Sequence, residues 1–452
     1  MKLIFLLILN LTVFSMFSQE KEDEYFNENY LRYDNHTYKE SINTVQLYRE
    51  GYPLSYPIIE LISDDALKMS FDDLDTDVKD YSYTIIHCNA SWEPTDLQPM
   101  EYIIGFNEIA DIQYKYSFNT LVHYVNYSFS FPNQDMRPKI SGNYILYVFE
   151  DFDREKPVIT RRFSVLESKV SINGKVKQPD DFNVKETHHE VDFTIDYTGL
   201  KIYDPYSEIK VAILQNNRPD NAITNLQPLY VKDQILEYDY DDKNLFSGGN
   251  EFRNFDIKSI RYQSEFINSV VLTDSIYNVQ LKQGFTRSFA PHYTDFDING
   301  KCFVYKQEGI DQDVEPDYVY VWFELPYEAP FVDGNLYVYG GISDWKFGEK
   351  NRMVYNFDKN AYQLKMLLKQ GYYNYQYVFL KDGDKGGDEA LIEGSHYQTE
   401  NDYMIYVYYH GTTSRYDKLV GFKIFNSIRQ GGVEMESPFK NLQIKLDNFY
   451  RN

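Results

Sequence analysis

Apolar and polar residues alternate along most of this chain with the period of a strand. From Ser117 to Glu167, three such runs are separated by the turn-forming groups Pro132-Asn133-Gln134-Asp135, Ser141-Gly142-Asn143 and Asp151-Phe152-Asp153-Arg154. Period-two alternation between turn residues predicts an antiparallel meander. Gly142-Asn143-Tyr144, just ahead of Ile145-Leu146-Tyr147-Val148, has the order of a tyrosine corner, in which a phenol oxygen ties a crossover loop to a late strand of an immunoglobulin-like sandwich. Further strands are expected at Val45–Tyr48, Pro57–Leu61, Leu67–Phe71 and Tyr81–Cys88. Folded structure is therefore expected from Ile42, with a first sandwich over residues 42–167.

Arg161–Leu166 runs with almost no linker into Val170-Ser171-Ile172, so a second sandwich is expected at once, over residues 168–312. Its strands are expected at Glu190–Ile195, Ile209–Leu214, Ser259–Tyr262 and Tyr277–Leu281, with a turn-rich loop between Asp241 and Asn254. A third sandwich is expected over residues 313–430, from Tyr318–Leu325, Gly334–Trp345, Ala361–Met366 and Gly371–Phe379. The fold class is thus all-β, built from tandem immunoglobulin-like sandwiches. Residues 19–41 carry no sustained period and read as an extended lead-in, and residues 431–452 as an irregular tail. The apolar run Leu3–Leu9 after Met1-Lys2, with small and polar residues up to Ser18, reads as a secretory signal peptide over residues 1–18. The run is too short and too interrupted for the roughly 20 residues that span a bilayer.

Composition narrows the partners. In 452 residues, 45 basic side chains face 69 acidic ones, a formal charge of −24 that argues against nucleic acid and points to protein partners. The 44 Tyr and 31 Phe suit a β-rich chain, because aromatic rings fit the half-buried surface of a sheet. The two cysteines, Cys88 and Cys302, fall in different expected domains and are read as free thiols.

No residue set carries catalysis. His87 and Cys88 are neighbours on a strand and face opposite ways, so they cannot share a proton, and His188-His189 fails as a metal clamp for the same reason. Asp382 to Glu393 approaches a calcium loop, with Asp382, Asp384 and Glu393 at ligand positions, but Gly386 stands where a side-chain oxygen is needed, and no structural calcium is expected. No cofactor motif is present.

Two resemblances add to this reading. Tyr83-Thr84-Ile85-Ile86-His87-Cys88-Asn89, Pro132-Asn133-Gln134-Asp135-Met136-Arg137-Pro138, Gly248-Gly249-Asn250-Glu251-Phe252-Arg253, Glu400-Asn401-Asp402-Tyr403 and Arg415-Tyr416-Asp417 resemble the plug proteins of the type IX secretion system of Bacteroidetes. That resemblance implies a non-enzymatic periplasmic accessory, a monomer within a hetero-complex, that docks on and seals the periplasmic opening of the outer-membrane translocon barrel SprA without entering the membrane. The polar turns Asn133–Arg137 and Gly248–Arg253 are the candidate contact loops, with Asn133, Asp135, Arg137, Glu251 and Arg253 as partner-binding residues. The third unit also resembles glycogen-binding, early-set sandwiches. Trp345 stands where that family has its first sugar platform, but no second tryptophan follows Lys381-Asp382-Gly383. This leaves a carbohydrate-binding accessory as the alternative.

Overall fold

The computed structural model describes residues 30–428 apart from residue 111, and the backbone of 432–433. The expected signal peptide and nearly all of the expected tail lie outside the described residues. Among the described residues no helix is long and apolar enough to cross a membrane.

The chain is nearly all β. In the first sandwich, Tyr81–Cys88, Gly142–Glu150 and Pro157–Leu166 form one sheet, and Ile42–Arg49, Leu67–Asp73, Val125–Phe131 and Tyr114–Tyr116 form the other. Met69, Phe71, Tyr81, Tyr83, Ile85, Tyr127, Leu146 and Phe163 fill the space between them. The tyrosine corner is present: Tyr144 is fully buried and its hydroxyl donates to Ile140 O at 2.7 Å. Gly142 beside it has φ +143°, and a Cβ there would lie 2.5 Å from His87 Nε2, so the turn requires glycine.

The lead-in departs from expectation, since order begins before Ile42. Leu31 and Tyr33 pack on the outer face of the first sheet against Cys88, Ile145, Tyr147 and Phe149, while His36–Thr37 adds a short strand to Pro157–Leu166. Arg162 donates to Tyr33 O, and its guanidinium lies 4.4 Å from the Trp92 ring. A polar segment without periodicity can still order when its backbone completes a sheet edge.

The division at 312/313 does not hold. The second sandwich pairs Ser171–Lys177, His188–Asp196, Ile235–Tyr238 and Leu245–Ser247 in one sheet. Its other sheet joins Ile209–Gln215 to Asp402–Tyr409 and Lys418–Asn426, strands expected in the third unit or left unplaced. The third sandwich is inserted between Leu245–Ser247 and Asp402–Tyr409. Arg253–Asp256 and Cys302–Val304 pair with Gly371–Lys381, and Ile276–Leu281 runs parallel to Tyr318–Pro326. The expected strand at Ser259–Tyr262 is a bend between Arg253–Asp256 and Ile267–Thr273. Alternation shows that one face of a strand is buried but says nothing of which sheet buries it.

The three sandwiches are bonded to one another. Tyr56, Ile58 and Leu166 of the first share an apolar cluster with Met404, Tyr406, Tyr408 and Leu419 of the second. Asp417 accepts the Ala90 N–H at 2.8 Å and pairs with Lys210 at 3.0 Å. Second and third meet at buried Arg218, which pairs with Asp220 at 2.8 Å and with Glu389.

Candidate docking surface

Asn133 builds the turn on which this surface rests. Its Oδ1 accepts the N–H groups of Asp135 (3.0 Å) and Met136 (2.9 Å), and its Nδ2 donates to Tyr83 Oη at 2.9 Å and Ser130 O at 3.1 Å. Asn133 is thus consumed by the fold, while Asp135 and Arg137 stand in solvent. Met136–Pro138 pairs with Ile103–Gly105, placing Ile104 opposite Arg137. The pairing depends on close backbone approach: Gly105 has φ +102°, and a Cβ there would lie 2.1 Å from Asp135 O, which accepts the Phe106 N–H at 2.7 Å.

This small sheet displays apolar side chains that the core does not use. Met100 is 75% exposed, Ile104 41% and Phe106 65%, whereas Tyr102, Ile103 and Met136 beside them are buried. The helical turn Pro99–Tyr102 that carries Met100 is braced by Glu101, which accepts the Gln98 N–H at 2.7 Å and pairs with Arg415 at 2.8 Å. Arg137 carries no ion pair among the described residues. Exposed apolar residues on a backbone fixed from both sides, with a cation at their edge, are the makings of a protein contact.

Sequence reasoning named the polar turn and missed Met100, Ile104 and Phe106. The run Met100-Glu101-Tyr102-Ile103-Ile104-Gly105-Phe106 contains the signal, but exposed and buried apolar residues look the same until the sheet is assembled. The second expected contact loop is corrected. Glu251 is 2% exposed, and Arg253 pairs with buried Glu393 at 2.9 Å, its guanidinium 5.0 Å from the Tyr377 ring. Glu251 and the Arg253 guanidinium are thus engaged within the protein, where the segment runs between strands of the second and third sandwiches. There, buried polar groups satisfy one another rather than solvent.

The remaining candidates are structural. Glu393, at the last position of the calcium-loop pattern, turns inward to Arg253 and to Arg287 at 2.7 Å, away from exposed Asp382 and Asp384. Burial alone would raise its pKa, but the two guanidiniums hold its carboxyl below the usual range. His87 hydrogen-bonds Thr95 Oγ1 at 3.0 Å, while Cys88 packs on the opposite face of the strand. Burial pushes the Cys88 thiol up to about 12, and both cysteines are free. His189 is held between Tyr403 Oη at 2.7 Å and Tyr397 O at 2.6 Å. Trp345 packs against Phe252 and Tyr339, with ring centroids 5.9 and 5.5 Å away.

Residues 42–167, the unit that carries the exposed apolar residues, match the family described as Type 9 secretion system plug protein 1st domain. The chain belongs to the type IX secretion system plug proteins. The solved structure of a hypothetical protein from Parabacteroides merdae ATCC 43184 is 34% identical to this plug-family chain, with a TM-score of 0.84 over 88% of it and 100% of the other. No curated protein matches it. Membership makes it a component of the secretion machinery, in a family whose role is structural.

Proposed function

We propose that this chain is a non-enzymatic plug that binds the periplasmic opening of the type IX outer-membrane translocon, the SprA barrel, and closes it while no cargo is engaged. The observation that carries the reading is the family match at residues 42–167, the unit that displays Met100, Ile104 and Phe106 on a braced backbone. Sealing a pore needs area, complementarity and rigidity rather than chemistry. Three sandwiches tied by a shared apolar cluster and buried ion pairs supply a body braced at its joints. Exposed Asp135 and Arg137 form the polar rim of the docking face.

The test is co-purification with the barrel, coupled to outer-membrane permeability. Wild-type protein is expected to co-purify with SprA and to lower uptake of a small antibiotic in cells whose barrel is free of cargo. Ile104→Asp/Phe106→Asp is expected to lose both effects while remaining folded. Unchanged permeability on deletion of the gene overturns the sealing role, and full barrel binding by the double variant overturns the docking face.

A further inference from the structure

One sheet of the third sandwich runs from Ile267–Thr273 through Ile276–Leu281, Tyr318–Pro326 and Ala361–Lys369 to Val354–Asn356, so Ile267–Thr273 lies at its edge. Thr273 and Ile276 face each other across the two-residue turn Asp274-Ser275, whose φ angles are 50° and 64°. Such a turn hydrogen-bonds its closing pair. Hydrogen-bonded pairs alternate from there, at Thr273–Ile276, Val271–Asn278 and Ser269–Gln280, which turns the N–H and C=O groups of Val270 and Leu272 outward. Among the described residues these groups meet no partner, and the side chains of Val271 and Leu272 are 53% and 52% exposed. At the start of the strand Gln263 Nε2 already donates to Asn268 O at 3.1 Å, so the open part is Ser269–Thr273. Edges are ordinarily blunted by charge, proline, shortness or cover. Ser171–Lys177 carries Lys175 and Lys177, Tyr114–Tyr116 and Val354–Asn356 have three residues each, and Tyr81–Cys88 is bridged by Ile109 and Pro94. Ile267–Thr273 has seven residues, none of them charged or proline.

We propose that this edge pairs with the same edge of a second copy of the chain, antiparallel about a two-fold axis at Val271. The open groups are complementary to themselves. Val270 and Leu272 of one copy stand opposite Leu272 and Val270 of the other, and each of these pairs exchanges its N–H and C=O groups. Val271 meets Val271 at the closely spaced position on the axis, where β-branched side chains contact directly. Ser269 then faces Thr273 and Asn268 faces Asp274, so no like charges are opposed along the seam. That selects the occupant: the chain carries a charge of −24, and two such bodies can approach only along a strip without charge. A contact of this symmetry closes on itself and stops at two copies. Two copies depart from the single copy that the family resemblance implies. The edge belongs to the third sandwich and Met100, Ile104 and Phe106 to the first, so the pairing uses none of the docking residues.

Sedimentation equilibrium of the full chain, without the barrel, tests this. One short edge makes a small and weak interface, so the mass is expected to rise from one copy to two with a midpoint of about 100 μM. Raising the salt from about 0.15 M to about 1 M is expected to tighten the pairing, because it screens the repulsion between two acidic bodies and takes nothing from an uncharged seam. Val271→Lys sets two ammonium groups against each other on the axis; it is expected to keep the melting temperature, the side chain being exposed, and to weaken pairing at least tenfold. Val271→Glu is expected to do the same alone, and an equimolar mixture of the two variants to pair again. A wild type that stays monomeric at about 500 μM, a dimer that Val271→Lys leaves intact, or folded variants whose mixture does not pair each overturn the proposal. If the wild type is monomeric and Val271→Lys loses co-purification with the barrel, the edge belongs to the barrel and not to a second copy.

Discussion

Lys369 Nζ lies 2.7 Å from Asp72 Oδ2 across the boundary between the first and third sandwiches, and both side chains are buried. Tyr318 Oη donates to the same oxygen at 2.7 Å, and Asn126 Nδ2 donates to Asp72 Oδ1 at 2.8 Å. Burial raises the Asp72 pKa despite Lys369, and burial lowers that of Lys369 despite Asp72. Desolvation thus opposes the attraction on both sides, and the pair serves more to register the two sandwiches than to add net stability. Lys68–Asp313 at 2.7 Å, Lys346–Asp34 at 2.9 Å and the Leu121 N–H on Asp317 at 2.7 Å extend the same seam.

Asp72→Ala leaves Lys369 buried and uncompensated, and is expected to cost about 3–5 kcal/mol. The double variant Asp72→Ala/Lys369→Met is expected to recover at least half of that in urea unfolding. A loss under 1 kcal/mol for the single variant would show that water reaches the pair.

The docking face separates display from support. Phe106→Ser is expected to change stability by no more than about 0.5 kcal/mol, since the side chain is exposed. Gly105→Ala is expected to cost about 1–3 kcal/mol, because it forces strain at a positive φ and a clash with Asp135 O. Both are expected to weaken barrel binding, and thermal melts distinguish the causes.

Acid pairs set the pH dependence of stability. Burial first, with repulsion from Asp192 adding to it, raises the Glu190 pKa to about 7, although Lys177 lies 3.0 Å away. A carboxyl whose folded pKa lies above its unfolded value binds a proton on folding. Its contribution is full below the unfolded pKa near 4.5 and is lost as pH rises through about 7. Melting temperature is therefore expected to fall between pH 5 and 8, and Glu190→Gln to flatten that slope. A slope of opposite sign in the wild type refutes the assignment.

Glu393 is the counter-ion of Arg253 and Arg287. A chelator is expected to leave the melting temperature unchanged, whereas Glu393→Gln, which strands the Arg253 and Arg287 guanidiniums, is expected to cost about 3–5 kcal/mol. Calcium-dependent stabilisation that Asp382→Ala removes would contradict this.

The sequence by itself determined what local chemistry can encode. Strand alternation established the all-β class, the Gly142-Asn143-Tyr144 order announced the Tyr144–Ile140 tie, and neighbouring residues on a strand disposed of His87–Cys88 as a reactive pair. The family resemblance, too, was legible in short strings. Tertiary structure alone decided which strands share a sheet. Ile209–Gln215 finds Asp402–Tyr409 across the whole inserted sandwich, a pairing that depends on complementary surfaces and leaves no mark in either strand. It also decided the fate of polar and apolar residues alike. Glu251 looks like a surface residue in sequence but is buried, and Arg253 beside it is drawn inward to buried Glu393. Met100, Ile104 and Phe106 look like core but stand in solvent, because among the described residues no further layer covers the small sheet and the turns beside it. Burial is a property of what covers a residue, and the covering groups here come from positions tens to hundreds of residues away.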